Sequence, residues 1–448
     1  MTSSWSFARD LKLKLTRRVD NMMKIYNFDS VRPEEIFNRD TEEMNLSIRQ
    51  TVSDIINDVR LNGDSALFRL CEKFDKVKLS TLEVTDEEID KAFDSISPSL
   101  LSTLKKAEKN IRLFHENQVK SGFIVTGENG IVAGQRILPI EKVGIYVPGG
   151  TAAYPSTVLM NAVPAKIAGC KQIIMVTPPQ KDGSVSPAIL AAAKLAGVDR
   201  IFKVGGAQAI AALAYGTQTI PQVYKITGPG NAFVAEAKRQ VFGKVAIDMI
   251  AGPSEILVVA DEKSNAHEIA ADLLSQAEHD KMAAAVLVTN SMELARAVQT
   301  ELEKQLSVLP REEIARESIN NNGKIIVVND LKKAIEVSNE IAPEHLELIM
   351  DNPFDYLDMV KNAGSVFLGR SCPEALGDYL SGANHTLPTS GTAKFYSPLS
   401  VDDFVKKSQY TYYTRTALGE VKDDIVRFAR QEGLEAHARS VISRFEED

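Results

Sequence analysis

From residue 144 onward the sequence alternates short apolar runs with alanine-rich stretches, and that rhythm restricts the chain to a small set of folds. Runs at 144–147, 172–176, 200–204, 223–226 and 256–259 have the length and the valine and isoleucine content of buried strands. The stretches between them are long enough for a helix, so each strand can return parallel to the last, with helices covering both faces of a sheet. A second block repeats the pattern, with strands expected at 285–289, 324–328, 346–350 and 365–368. The expected fold is α/β: two Rossmann-like parallel-sheet domains with small helical N- and C-terminal extensions. Upstream, residues 28–120 read as helical, with Pro33 and Pro98 as starters or breakers. The segment from Ser400 onward is charged and helical in pattern, and too small to hold a core alone, so it must dock on something larger.

A chain of 448 residues exceeds one compact core, and 44% hydrophobic residues suffice for two. Its net charge of −8 offers no basic field to nucleic acid or to an anionic membrane surface. No apolar run approaches the roughly 18 residues of a membrane helix. Cys71, Cys170 and Cys372 lie far apart with no CxxC spacing, which argues against a disulfide framework or a thiolate zinc knuckle and fits a reducing cytoplasm. Small molecules are the expected partners. The opening stretch carries Arg9, Lys12, Lys14, Arg17 and Arg18, interrupted by Asp10 and Asp20, so both an organelle transit segment and a frayed extension fit it.

Three expected strand ends run into glycine turns followed by helices: Tyr146-Val-Pro-Gly-Gly150, Val204-Gly-Gly-Ala-Gln208 and Thr227-Gly-Pro-Gly-Asn231. Backbone amides at such junctions, aided by the helix dipole, suit phosphates and cofactor edges. None is a G-x-G-x-x-G fingerprint, because Phe233 stands where the third glycine belongs, and any one turn can be plain turn chemistry. Their clustering is what favours a dinucleotide crevice.

Four of the six histidines, His279, His345, His385 and His437, stand near carboxylates or amides. Gln276 and His279 are three apart in a helical pattern, so both can face one cation, although a polar helix face explains the pair as well. Asp378 and His385 flank Gly382 in a loop that presents them to a site or simply bonds to itself. Ala342-Pro-Glu-His345 reads as a helix start, with Glu344 and His345 reaching one cleft only from its first turn. An acid beside an imidazole suits proton transfer; a cap plus a surface histidine is the plainer reading. Glu432 and His437 lie near the C-terminus, where a lone histidine usually faces solvent.

Taken in order, Gly144-Ile-Tyr-Val-Pro-Gly-Gly150, Val204-Gly-Gly-Ala-Gln-Ala-Ile210, Thr227-Gly-Pro-Gly-Asn231, Asp248-Met-Ile-Ala-Gly-Pro-Ser-Glu255, Leu274-Ser-Gln-Ala-Glu-His279, Pro343-Glu-His-Leu346, Gly377-Asp-Tyr-Leu-Ser-Gly-Ala-Asn-His385 and Glu432-Gly-Leu-Glu-Ala-His437 give the chain its likeness. It resembles the histidinol dehydrogenase family from about Asn45 to the last helix. The resemblance implies an NAD-dependent enzyme with one zinc ion per active site, oxidising L-histidinol through L-histidinaldehyde to L-histidine. It implies that Gln276, His279, Asp378 and His437 bind zinc, that Glu344 and His345 carry proton transfer, and that Tyr146, Gln208 and Asn231 contact NAD. Ser254, Glu432, His345 and the metal ligands would hold substrate.

The resemblance also implies an intertwined, cytoplasmic homodimer whose tail completes the neighbouring site, although a tail folded back on its own chain fits the sequence too. The expected division is an unmatched extension at 1–23, a small helical segment at 24–48, a metal and catalytic α/β domain from 49–145 and 260–399, an NAD domain at 146–259 and a helical tail at 400–448. Two rival enzymes share this reading: an aldehyde dehydrogenase using Cys170 or Cys372 as nucleophile, and a hydrolase using zinc-bound water.

Overall fold

The computed structural model describes residues 23–31, 45–149 and 153–446, so all but Met23 of the extension expected at 1–23, about half of the segment expected at 24–48 and Gly150 of the first glycine turn lie outside the described residues. Its strands are β1 (Lys24–Asn27), β2 (Phe123–Thr126), β3 (Val132–Pro139), β4 (Lys142–Tyr146), β5 (Gln172–Thr177), β6 (Arg200–Lys203), β7 (Lys225–Thr227), β8 (Ala246–Ile247), β9 (Glu255–Ala260), β10 (Ala284–Thr289), β11 (Lys324–Val327), β12 (His345–Ile349), β13 (Ser365–Leu368) and β14 (Val405–Tyr412). All nine strands expected from the apolar rhythm are present. They form two parallel sheets, one in the order β6-β5-β4-β7-β8 and one in the order β1-β11-β10-β9-β12-β13.

Period-two alternation explains why these runs are apolar on every position. In the first sheet Ile174 and Val176 join one core while Ile173 and Met175 join another on the opposite face. In the second, Ile256 and Val258 face one core and Leu257 and Val259 the other. A strand buried on both faces has no polar side to show. Helices start where the sequence lets them: Pro98, Pro155 and Pro187 each open one, where proline's missing N–H costs nothing.

Three expectations need correcting. The helices between residues 45 and 116 pack on the first sheet, Val52 and Leu67 beside Phe202 in one core and Leu104 and Ile111 beside Ile145 in the other, whereas the sequence grouped 49–145 with 260–399. The start of the segment expected to be helical at 24–48 is β1, which pairs with β11 at the edge of the second sheet. The tail is not wholly helical either: β14 pairs antiparallel with β3 over eight residues, and β2 pairs with β3 on its other side. This small sheet was illegible because its side chains alternate without a buried face; Phe123, Ile124 and Val125 are all exposed. Among the described residues no helix is long and apolar enough to cross a membrane.

Candidate functional site

The strand order of the first sheet reverses between β4 and β7: β5 and β6 extend from one side of β4, β7 and β8 from the other. Crevices outside the carboxyl ends of strands at such a reversal are where open α/β sheets bind ligands. Tyr146 ends β4, and its hydroxyl accepts the Gly206 N–H at 3.1 Å. Burial pushes that hydroxyl up to about 12, so it stays protonated. Gln208, also buried, lies in the first turn of the helix Gly206–Tyr215 that Tyr146 touches. Beyond β7, Gly228 adopts φ +113°, and a Cβ there would fall 2.1 Å from the Tyr146 carbonyl oxygen, so only glycine lets the two strand ends approach. Asn231 caps the next helix, its Oδ1 accepting from Phe233 at 3.0 Å and Val234 at 3.1 Å, and stands exposed at the edge. Tyr146 and Asn231 thus follow the two strands that flank the reversal, β4 and β7, and Gln208 follows β6 at the same carboxyl edge of the sheet.

The second cluster is built on the peptide of Glu255, the first residue of β9. Its N–H donates to Glu344 Oε2 at 2.9 Å, and its carbonyl lies 2.9 Å from His345 Nδ1. One backbone unit therefore holds both expected proton carriers, with Ser254 next in the chain and half-buried. The helix expected to start at Pro343 is absent. Instead the helix Leu331–Ile341 ends there, Ala342 turns to φ +52°, and His345 opens β12. Proline follows helix ends as readily as it begins helices, and the two side chains converge through β9, not through a helical turn.

Because Nδ1 is bound to a carbonyl it carries the proton of the neutral ring, which leaves Nε2 with a lone pair. That Nε2 is buried without a hydrogen-bond partner, 3.8 Å from Glu374 Oε1. His345, Glu374 and Asp378 each offer a ligand atom within 4.8 Å of the others. Burial raises the Asp378 carboxyl, and the rings of His345 and His279 pull it back down, so both lie within its electrostatic reach. Glu344 is pushed up to about 8, chiefly by burial, with Asp378 and Glu374 adding to the rise against the opposing pull of His345. Burial also drives His385 down to about 4, and its Nδ1 lies 3.2 Å from the Asp378 carbonyl, so a neutral ring braces that residue.

Gln276, on the helix Ala266–Ala277, is buried with Oε1 unpartnered. His279 lies just past that helix, in the turn closed by its own N–H on the Gln276 carbonyl at 3.2 Å, so the two are not one helical pair as expected. The donor set suits a divalent cation. It offers carboxylate, amide and imidazole atoms, two buried acceptors, Gln276 Oε1 and His345 Nε2, lack a hydrogen-bond partner, and among the described residues no lysine or arginine is close enough to shift Glu344, Glu374 or Asp378. Glu432 and His437 do not join this group; both are exposed on the tail, and among the described residues neither bonds to it.

Glu374, Glu347 and Asp272 are the residues the sequence reading missed. Glu347 is two after His345 on one strand face, Asp272 four before Gln276, and Glu374 four before Asp378, so each lies one structural period from a site residue. Glu347 accepts the Glu374 N–H at 2.7 Å and meets the Asp272 carboxyl. Of the cysteines, Cys170 is buried against the Phe404 carbonyl, and burial pushes its thiol up to about 12, away from the thiolate that a nucleophile requires.

A family model described as histidinol dehydrogenase matches residues 38–445. A histidinol dehydrogenase of Clostridium acetobutylicum is 58% identical over 401 residues, covering 90% of this chain and 93% of that protein. One from Lactiplantibacillus plantarum is 52% identical over 425 residues, covering 95% and 99%. The crystal structure of histidinol dehydrogenase from Elizabethkingia anophelis superposes with a TM-score of 0.88 at 39% identity, covering 94% of this chain and 98% of that one.

Proposed function

The chain belongs to the histidinol dehydrogenase family and is an oxidoreductase, and from that premise we propose that it oxidises L-histidinol twice, through L-histidinaldehyde to L-histidine, passing two hydrides to two molecules of NAD. The observation that carries this reading is the Glu255 peptide, which fastens Glu344 and His345 side by side while leaving His345 Nε2 buried with a free lone pair. Two bases at one buried point are what two successive oxidations need.

When bound, zinc supplies a cation that anchors the substrate's amino and imidazole nitrogens, and NAD supplies the hydride acceptor. Gln276, His279 and Asp378 would hold the metal together with His437, and Tyr146, Gln208 and Asn231 would contact NAD. His345 Nε2 takes the hydroxyl proton as hydride leaves the carbinol carbon. The Glu374 carboxylate, 3.8 Å away, then stabilises the imidazolium. Glu344, in its ionised form, takes a proton from the water that adds to the aldehyde, and His345 serves the second oxidation of the hydrate. Ser254 and Glu432 would hold the substrate. Burial of the cluster keeps the reactive aldehyde from bulk water.

The tail supports a composite site. Glu432 and His437 are exposed on their own chain, and β2 and β14 carry exposed Phe123, Ile124, Tyr410 and Tyr412 that a second copy would cover. In a cytoplasmic homodimer the tail would then reach the neighbour's Gln276, His279 and Asp378. Two assays test the whole. NADH formed per mole of L-histidinol should be near two and should fall to nothing with a strong chelator; a ratio near one, or indifference to the chelator, contradicts the reading. Mixed dimers of His437→Ala and His279→Ala should recover about half the wild-type activity by placing both lesions in one site; proven exchange without recovery would mean that each site is built from one chain.

A further inference from the structure

The mechanism leaves unused the most deeply buried charge pair of the first sheet. Lys238 and Asp248 form an ion pair with side chains only 2% and 1% exposed. Taking two full charges out of water is costly, and apolar side chains of similar volume would often serve stability as well. What the pair grips is therefore informative. Lys238 Nζ donates to the Gly228 carbonyl at 3.0 Å, and Asp248 Oδ2 accepts the Gly228 N–H at 2.8 Å. Asp248 Oδ1 also accepts the Met249 N–H at 2.7 Å. Both polar groups of one residue are thus held by opposite ends of one ion pair.

That residue is the glycine at the reversal between β4 and β7, held at φ +113° against the Tyr146 carbonyl. Asp248 in turn opens the seven-residue segment that ends at Ser254, immediately before the Glu255 peptide. One end of that segment touches the crevice of the first sheet, and the other adjoins the Glu255 backbone that holds the proton carriers of the second.

We infer that Lys238 and Asp248 are positioning residues for the dinucleotide: they hold the 227–231 turn in its binding shape before NAD arrives. The inference rests on NAD occupying that crevice, as proposed above. Pre-set backbone amides bind without first being ordered, and a turn that populates the competent shape a tenth of the time binds about tenfold more weakly. The clamp touches none of the groups around His345, so its loss acts on NAD and spares the amino alcohol.

The test is Lys238→Met, with the charge-neutral double variant Lys238→Met/Asp248→Asn for the case that one unpaired buried charge prevents folding. Steady-state kinetics and direct NADH binding by fluorescence are measured beside Gly228→Ala, which disturbs the same turn by a different route. The clamp variants should raise KM for NAD and Kd for NADH about tenfold, with KM for histidinol and kcat at saturating NAD within about threefold of wild type; a general packing defect would instead raise KM for both substrates and lower kcat together. Wild-type NADH binding in a folded clamp variant, with Gly228→Ala weakened, overturns the inference alone. Wild-type NADH binding in Gly228→Ala as well would show instead that NAD does not sit on this turn.

Discussion

Both parallel sheets run outward from a central strand in the same sense, β4 then β5 and β6 on one side with β7 and β8 on the other, and β9 then β10 and β11 with β12 and β13 opposite. Yet the first gathers its expected ligand residues at the carboxyl ends of β4, β6 and β7, while the second gathers its expected proton carriers at the amino ends of β9 and β12. The second sheet's carboxyl edge explains the difference, because it is already filled. Arg370 binds Asp261 through Nη2 at 2.8 and 2.9 Å, Ser264 at 2.7 Å and Asp351 at 3.1 Å, closing the crevice that topology would otherwise offer. A shared topology thus predicts where a crevice can form, and side chains decide which one stays open.

The buried polar groups differ in the same way. The first sheet neutralises its buried aspartate with a lysine. The second brings Asp272, Glu344, Glu347, Glu374 and Asp378 together, and among the described residues the basic side chains that act on them are histidines. A self-compensated pair is finished structure, whereas an acid cluster without a cation needs protons or a metal.

His345→Asn should break this contrast most severely, lowering kcat for both oxidations by about a thousandfold while leaving NADH binding on the first sheet intact. Near-normal turnover would remove the second sheet's amino edge as the site. Glu344→Gln should sharpen it: with alcohol and aldehyde supplied separately, aldehyde oxidation should fall about a hundredfold further than alcohol oxidation, and equal losses would contradict the division between the two bases. Arg370→Met tests whether the filled edge is purely structural. It should lower Tm by roughly 3 °C with kcat/KM for histidinol held within about twofold, and a large catalytic defect at unchanged Tm would place function on that edge after all.

The smallest effect concerns Glu347, whose carboxyl burial pushes up to about 9, with Asp272 beside it raised to about 6. Both groups titrate higher folded than unfolded, so the native state holds more protons and stability falls as pH rises through that window. Glu347→Gln keeps a donor toward Asp272 and an acceptor for the Glu374 N–H while removing one titration. Its Tm should therefore drop less between pH 6 and pH 9 than that of wild type, by roughly 2 °C; an identical pH dependence would mean that Glu347 is not the group responsible.

Local periodicity carried most of the architecture. Runs such as 172–176 and 285–289 are apolar on every position because both faces are covered, and no tertiary detail was needed to read them as strands. Sequence order was a poorer guide where local signals are ambiguous. Pro343 fits a helix start as well as a helix end, and β14, with Lys406 and Lys407 exposed, has no core face to mark it. Glu374 escaped notice because a glutamate in a short helix is ordinary until His345 is known to lie beside it.

The residue types at the site and the strands and helices that carry them were determined by the sequence itself, since hydrophobic period and turn chemistry act over a few residues. Which of those residues meet was decided only by tertiary structure. Glu255 and Glu344 are 89 positions apart, and their hydrogen bond exists only because β12 pairs with β9. The same pairing sets the His345 tautomer, and folding around it supplies the burial that lifts the Glu344 carboxyl, because desolvation and hydrogen-bond partners belong to the assembled neighbourhood and not to the chain on its own.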